Sequence, residues 1–302
     1  MELRHIRYFL AVAREGNFTR AAEGLGIGQP PLSQQIRDLE REVGAPLFHR
    51  VPQGAVLTEA GQAFLEKVAE LPEQAATAVR HARQAARGET GSLRLGFTAS
   101  AILTPRVTQA IRAFRRAYPQ VELVLEENNS ALLAQRLRDG RLDLAFLRPD
   151  GAEARDLTLH ALPDEAMVAA LPAGHSLAGE RRSTLRLTDL REAWFILTPR
   201  PIGATLHDAV VEACRRAGFE PRLGPHAPQL ASALALVAGE MGVTVVPVSM
   251  RQFALPGVVY KALRGIQPIA RLALAHRRKL ALPQLQNFLA LTQAGESSTA
   301  AG

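Results

Sequence analysis

The stretch "NFTRAAEGLGIGQPPLSQQIRDLEREVG", residues 17–44, constrains the fold more than any other part of the chain. Asn17 offers a side-chain cap, and Phe18, Ala21, Ala22 and Leu25 share one helical face. Gly24, Gly26 and Gly28 then release the chain. Pro30 and Pro31 restart it, because a fixed φ and a missing N–H suit the first turn of a helix. Leu32, Ile36, Leu39 and Val43 continue the apolar stripe until Gly44 ends it. A preceding run, Leu3, Ile6, Phe9, Leu10 and Ala13, holds the same spacing. The result is a helix-turn-helix pattern, with small residues at 21 and 22 that let its two helices approach closely.

The third helix predicts a polar outer face of Gln29, Ser33, Gln34 and Arg37 near its N-terminal end. Such side chains hydrogen-bond base edges or phosphates, and Gln suits adenine in the major groove. Free N–H groups at the helix N-terminus suit a phosphate. The next segment, "APLFHRVPQGAVLT", reads as a strand pair around Pro52-Gln53-Gly54 with Arg50 at its base. A wing of this kind lies along the DNA backbone and minor groove. Thr58 then caps a long helix running to Gly88, a rod of roughly 45 Å at 1.5 Å per residue. Its stripe (Phe64, Val68, Leu71, Ala75, Ala78, Val79, Ala82, Ala86) finds no neighbour in adjacent sequence, which points to pairing with a second copy. Pro72 removes one backbone bond and predicts a kink.

From Ser92 the texture changes to alternating strands and helices. "LRLGF", "VELVLEE", "LDLAFLR", "MVAALP", "WFILTP", "VTVVPVSM" and "ARLALAH" read as strands, and 104–117, 130–140, 204–217 and 229–241 as helices. That alternation predicts α/β lobes with mainly parallel sheets. The tail, residues 294–302, reads as disordered.

Composition excludes more than it asserts. No run reaches the roughly 18 apolar residues of a membrane span, and the N-terminal segment reads as a folded helix without a signal-peptide cleavage site. Cys214 is the only cysteine, which rules out an internal disulfide or a thiolate metal cage and fits a reducing cytoplasm. Of the net +7, residues 1–90 contribute nothing, with 11 Arg/Lys against 11 Asp/Glu. The excess lies beyond residue 91, as a solvated basic surface or as attraction for an acidic ligand. "GLGIGQ" follows a helix, where a dinucleotide loop needs a strand. With no HExxH, GxSxG or Cys/His pair, neither a metal, a cofactor nor acyl-transfer chemistry is expected. His160, His207 and His226 read as surface or loop residues. Cys214 reads as a core residue before a redox sensor, although Arg215 and Arg216 flank it.

"FTRAAEGLGIGQPPLSQQIRDLEREVGAPLFHR" followed by "LTEAGQAFL" resembles the DNA-binding end of a LysR-type transcriptional regulator. "LRLGFTASAILTPRV", "LRDGRLDLAF", "LPAGHSLA" and "LALVAGEMGVTVVP" extend the resemblance through roughly residue 293. Within that family the chain is most similar to regulators of aromatic-compound catabolism that answer to benzoate, muconate or phenylpropanoid-type acids.

The resemblance implies a winged helix-turn-helix at 1–58 and a dimerising linker helix at 59–89. It implies a two-lobed, periplasmic-binding-protein-like effector domain at 90–302. Lobe I covers about 90–162 and 268–302, lobe II about 163–267, with crossings near 162–166 and 265–270. It also implies double-stranded promoter DNA that is bent, RNA polymerase as partner, and a homo-oligomer built as a dimer of dimers. DNA contacts carried over from the family fall on Gln29, Pro30, Pro31, Ser33 and Gln34, supported by Thr19, Arg37 and Arg50. Gln34 and Gln53 stand where arginine is frequent. Effector contacts fall on Ser100, Ser130, Arg148, Thr198 and Ile202. Ser100 and Ser130 lie where a strand gives way to a helix, the crevice where α/β sheets bind ligands, and a small organic acid fits hydroxyls beside helix N-termini. Both serines also read as simple helix caps, and Arg148 as a surface ion-pair partner. A second function class remains: an enzyme or solute-binding domain fused to a DNA-binding module.

Overall fold

The computed structural model describes residues 1–52, 54–149, 156–179 and 183–299, with side chains to residue 293. The wing-tip residue Gln53 lies outside them. Two compact units emerge, Met1–Ala85 and Ala86–Gly302.

The first unit begins α1 Leu3–Glu15, α2 Phe18–Leu25 and α3 Gln29–Val43. Asn17 caps α2 by accepting the N–H groups of Thr19 and Arg20. Gly24 stays inside α2, and it is Gly26, left-handed at φ 69°, that releases the chain. Pro30 and Pro31 occupy the first turn of α3, and Gly44 closes it at φ 81°. β1 Phe48–Val51 and β2 Gly54–Leu57 form the antiparallel wing. Gly54 is required there: a Cβ at its φ of 144° would stand 2.1 Å from the carbonyl oxygen of Gly16. Ile6, Phe9, Val12, Leu32, Ile36, Leu39 and Leu47 are buried in one core.

The expected single rod from 58 to 88 is instead two helices, α4 Glu59–Val68 and α5 Leu71–Ala86. Pro72 falls in the first turn of α5, where no intrahelical partner exists for an N–H and none is lost. Thr58 caps α4 through Gly61 N–H at 2.9 Å. No residue of α5 is buried.

In the second unit the elements are β3 Gly91–Phe97, α6 Pro105–Ala117, β4 Val121–Glu127, α7 Ser130–Arg138 and β5 Leu144–Leu147. The long β6 Leu157–Pro172 follows, with β7 Thr184–Leu185, β8 Trp194–Phe195, α8 Arg200–Arg216 and β9 Arg222–Leu223. The chain continues through α9 Leu230–Ala238, β10 Thr244–Pro247, β11 Val258–Leu263, β12 Ile269–Arg277 and α10 Pro283–Thr299.

β3 pairs parallel with β4 and β5, while β12 runs antiparallel to both β5 and β6. Beyond Ala166, β6 changes partners and runs antiparallel to β10 and β11. The sheets are therefore mixed, not mainly parallel. One apolar core gathers Leu93, Phe114, Phe146, Leu272 and Phe288, and another gathers Met167, Phe195, Val210, Cys214 and Ala270. The chain thus passes between two lobes inside β6 and returns inside β12, where the register shifts between Ala270 and Leu272.

Several elements differ from the sequence expectation. β6 begins ten residues before Met167, and β11 and α10 carried no clear periodicity. Of the tail expected to be disordered, residues 294–299 continue α10 as far as Thr299, and 300–302 lie outside the described residues. His160 is a strand residue, its Nε2 3.0 Å from Nε2 of His276 on β12, and not a loop histidine. His207 lies on α8 with Nδ1 2.9 Å from the Thr198 carbonyl oxygen.

Candidate functional site

On the first unit, α3 presents Pro30, Pro31, Gln34 and Arg37 to solvent. Arg37 donates to the Gln34 amide oxygen at 2.8 Å, and the Gln34 amide donates to Asp38 at 2.9 Å. This chain of bonds fixes Gln34's rotamer before any ligand arrives. Ser33 departs from the expected outer face. It is only 5% exposed, and its hydroxyl accepts the Gln29 amide N–H at 2.8 Å. Ser33 sits one step around from the exposed edge and orients Gln29, leaving the amide oxygen and second N–H of Gln29 available. Thr19 is exposed at the start of α2. Arg50 is exposed on β1 with its guanidinium 5.0 Å above the Phe18 ring, a cation–π contact that holds it in place. Glu40 ties α3 to the wing by accepting the N–H groups of Leu47 at 2.8 Å and Phe48 at 3.2 Å.

In the second unit a cavity of about 330 Å³ is lined by Ser100, Ser130, Arg148, Thr198 and Ile202 together. Five positions spread over a hundred residues thus meet around one space. Three helix N-termini border it, through Asn129 and Ser130 of α7, Ile202 of α8, and Pro228, Gln229 and Leu230 of α9. Neither serine is a helix cap. Asn129 caps α7, accepting Leu132 N–H at 2.9 Å, and Ser100 sits in the turn between β3 and α6. The α9 cap residue, Gln229, makes no side-chain cap bond.

Arg148 organises the cavity floor. Its Nε donates to Ser100 Oγ at 2.8 Å, and its backbone N–H donates to Ser130 Oγ at 3.1 Å. Each hydroxyl has spent an acceptor position, and among the described residues neither hydroxyl donates. A serine hydroxyl has one proton to give, so both remain donors. Arg148 is 3% exposed and pairs with Glu165 at 3.0 Å, so it is a buried and not a surface ion pair. Burial pushes the guanidinium below its ordinary value, and the Glu165 carboxylate opposes that push. The pair is neutral overall, so positive potential in the cavity comes chiefly from helix N-termini.

Sequence reasoning missed Glu127, Asn128, Gly203, Leu206 and Gln229 in the lining. Glu165 was missed too, though a carboxylate flanking the apolar run Met167–Pro172 was a readable signal. Cys214 is fully buried in the second lobe's core, and burial raises its thiol to about 12. A thiol held neutral is unreactive, which removes the redox reading. No group of three or more His, Cys, Asp or Glu among the described residues is placed to hold a metal ion. No described helix is long and apolar enough to cross a membrane.

Comparison with known proteins covers both units. Residues 3–62 match the family model described as a bacterial regulatory helix-turn-helix protein of the lysR family, and residues 86–296 match the LysR substrate binding domain. The HTH-type transcriptional regulator BudR of Raoultella terrigena is 38% identical over 278 residues, covering 92% of this chain and 95% of that protein. AlsR of Bacillus subtilis is 33% identical, covering 99% and 98%. Among solved structures, full-length CbnR complexed with its target DNA aligns with a TM-score of 0.85 at 27% identity, covering 97% of this chain and 99% of that one. Full-length BenM aligns at 0.61 and 26% identity, covering 99% and 98%.

Proposed function

The chain belongs to the LysR family of DNA-binding transcriptional regulators, and from that premise we propose that it answers to a small carboxylate held between Ser100 and Ser130. It is a regulator, not an enzyme, as its named relatives are. The observation that carries the effector reading is the pair of hydroxyls that each accept one bond from Arg148 and keep their own proton to donate. Two oriented donors beside three helix N-termini favour a partner that accepts and carries negative charge, and a carboxylate does both with a single charge. Glu127 at the rim disfavours a second negative charge on that ligand. The cavity's apolar surfaces, Ile202, Leu206 and Leu230, suit a hydrocarbon or ring body. A Ser100→Ala/Ser130→Ala variant is expected to lose at least tenfold in affinity, about 1.4 kcal/mol, by titration calorimetry with benzoate. Unchanged affinity refutes the site.

On the DNA side, we propose that Gln29, Gln34 and Arg37 face the major groove, with Pro30, Pro31 and Thr19 beside the backbone and Arg50 on phosphate. Ser33 acts through Gln29. The support is the exposure of Gln34 and Arg37, the half-buried Gln29 at the start of the same helix, and the fixed rotamers of Gln29 and Gln34. Losing one bidentate base contact costs about 1–3 kcal/mol of discrimination. In vitro selection from randomised duplexes by a Gln29→Ala variant is expected to relax one base pair in each half-site. Recovery of the parent's motif contradicts that assignment. Cytoplasmic location, dimerisation through the linker segment 59–89, assembly as a dimer of dimers and recruitment of RNA polymerase complete the proposal.

A further inference from the structure

Arg148 is bonded to both lobes and to both strands that connect them. It follows β5 in the first lobe, and its carbonyl oxygen accepts the Thr205 hydroxyl of α8, in the second lobe, at 2.9 Å. Its guanidinium reaches the Arg271 carbonyl oxygen on β12 at 3.3 Å, within the register shift. The same guanidinium meets Glu165 on β6, opposite Ala270. Glu165 is 9% exposed and does not line the cavity. Its second oxygen accepts the backbone N–H of Ser249, in the 3-10 turn Val248–Gln252 of the second lobe.

We infer that Glu165 is a positioning residue that couples the cavity to the angle between the lobes, with Thr205 as its counterpart on the opposite side. Ser100 and Ser130 each accept from Arg148 and keep one proton to donate, so a ligand that takes that proton bond reorients the hydroxyl on which the arginine rests and moves the arginine with it. Arg148 and Glu165 are both shielded from water, so neither exchanges its partner for solvent without penalty. A displacement of Arg148 therefore reaches β6, β12 and Ser249 through bonds that have no cheap substitute. Thr205 carries the same displacement into α8. The ligand step rests on the effector reading above, whereas the linkage between the lobes stands without it.

Pulsed electron spin resonance on the full chain separates the two. Spin labels are placed at cysteines introduced at the exposed Gln135 on α7 and Ala235 on α9, in a Cys214→Ala background diluted with unlabelled chain. Without ligand, Glu165→Gln and Thr205→Val are each expected to broaden the interlobe distance distribution, or to shift it by roughly 1–2 Å, the scale of a packed-helix displacement. With saturating benzoate the parent's distribution shifts, while the variants' response falls below half of that shift. If both variants keep the parent's ligand-free distribution, the inference is overturned. A shift with benzoate equal to the parent's in both variants overturns it as well. Should Glu165→Gln fail to fold, Thr205→Val decides the outcome. If benzoate leaves the parent unchanged, the effector reading loses its support and the ligand-free comparison still decides the linkage.

Discussion

Replacing Arg148 with alanine is expected to destabilise the unit comprising residues 86–302 by about 3–5 kcal/mol, the usual penalty for stranding one member of a buried ion pair. The penalty arises from what remains. Glu165 would keep one oxygen on Ser249 N–H and lose the guanidinium at 3.0 Å, in a site that is 9% exposed. The Arg271 carbonyl and the Ser100 hydroxyl would lose a donor at the same time. Removing both charges together, as Arg148→Met with Glu165→Leu, is expected to return much of the loss, because well-packed apolar replacements of buried pairs are close to neutral. Urea unfolding followed by circular dichroism reads Arg148→Ala, and Arg148→Met, Glu165→Leu and their combination complete a double-mutant cycle that isolates the pair. A single-variant loss below about 1 kcal/mol, the range of exposed pairs, would show that Arg148 is not buried as described.

Phe9→Ala is expected to cost the DNA-binding unit about 3–5 kcal/mol of stability. Phe9 is fully buried and joins three elements. Its ring lies 5.2 Å from Phe48 of β1 and 5.0 Å from Phe64 of α4, while α1 carries it. A domain of this size has a total stability of about 5–15 kcal/mol, so the loss consumes much of the margin. Hydrogen exchange with mass spectrometry is the measurement. Peptides within α2 and α3 are expected to lose protection, while peptides of β5 and β12, in a separate core, keep theirs. Intact protection of α3 in the variant contradicts the single core.

The helix-turn-helix was legible because each of its boundaries is written in local chemistry: Asn17 as cap, Gly26 as release, Pro30–Pro31 as start and Gly44 as stop. The effector cavity was legible residue by residue only through family resemblance. Spacing alone does not say that Ser100, Arg148 and Ile202 meet, since their approach depends on sheet order. Elements were missed where packing overrides periodicity. β6 crosses from one lobe into the other, and its last six residues, Met167–Pro172, are buried on both faces while the first ten are buried only in places, so no single alternation runs along its sixteen residues. Ser33 was misplaced by one step of helical rotation, a small error on a helical wheel that moves a side chain from solvent to core. Glu165 escaped because a lone carboxylate in a strand reads as solvated until its buried arginine is found.

Thermal shift of the full chain with benzoate and with benzamide tests the carboxylate assignment most directly. The two probes share a ring and differ in the group that meets Ser100 and Ser130. Benzoate at a hundred times its dissociation constant is expected to stabilise the effector unit by about 2.7 kcal/mol, with benzamide producing little change. Equal stabilisation by the two, or stabilisation by benzamide alone, contradicts the assignment of an acceptor-only ligand to this cavity.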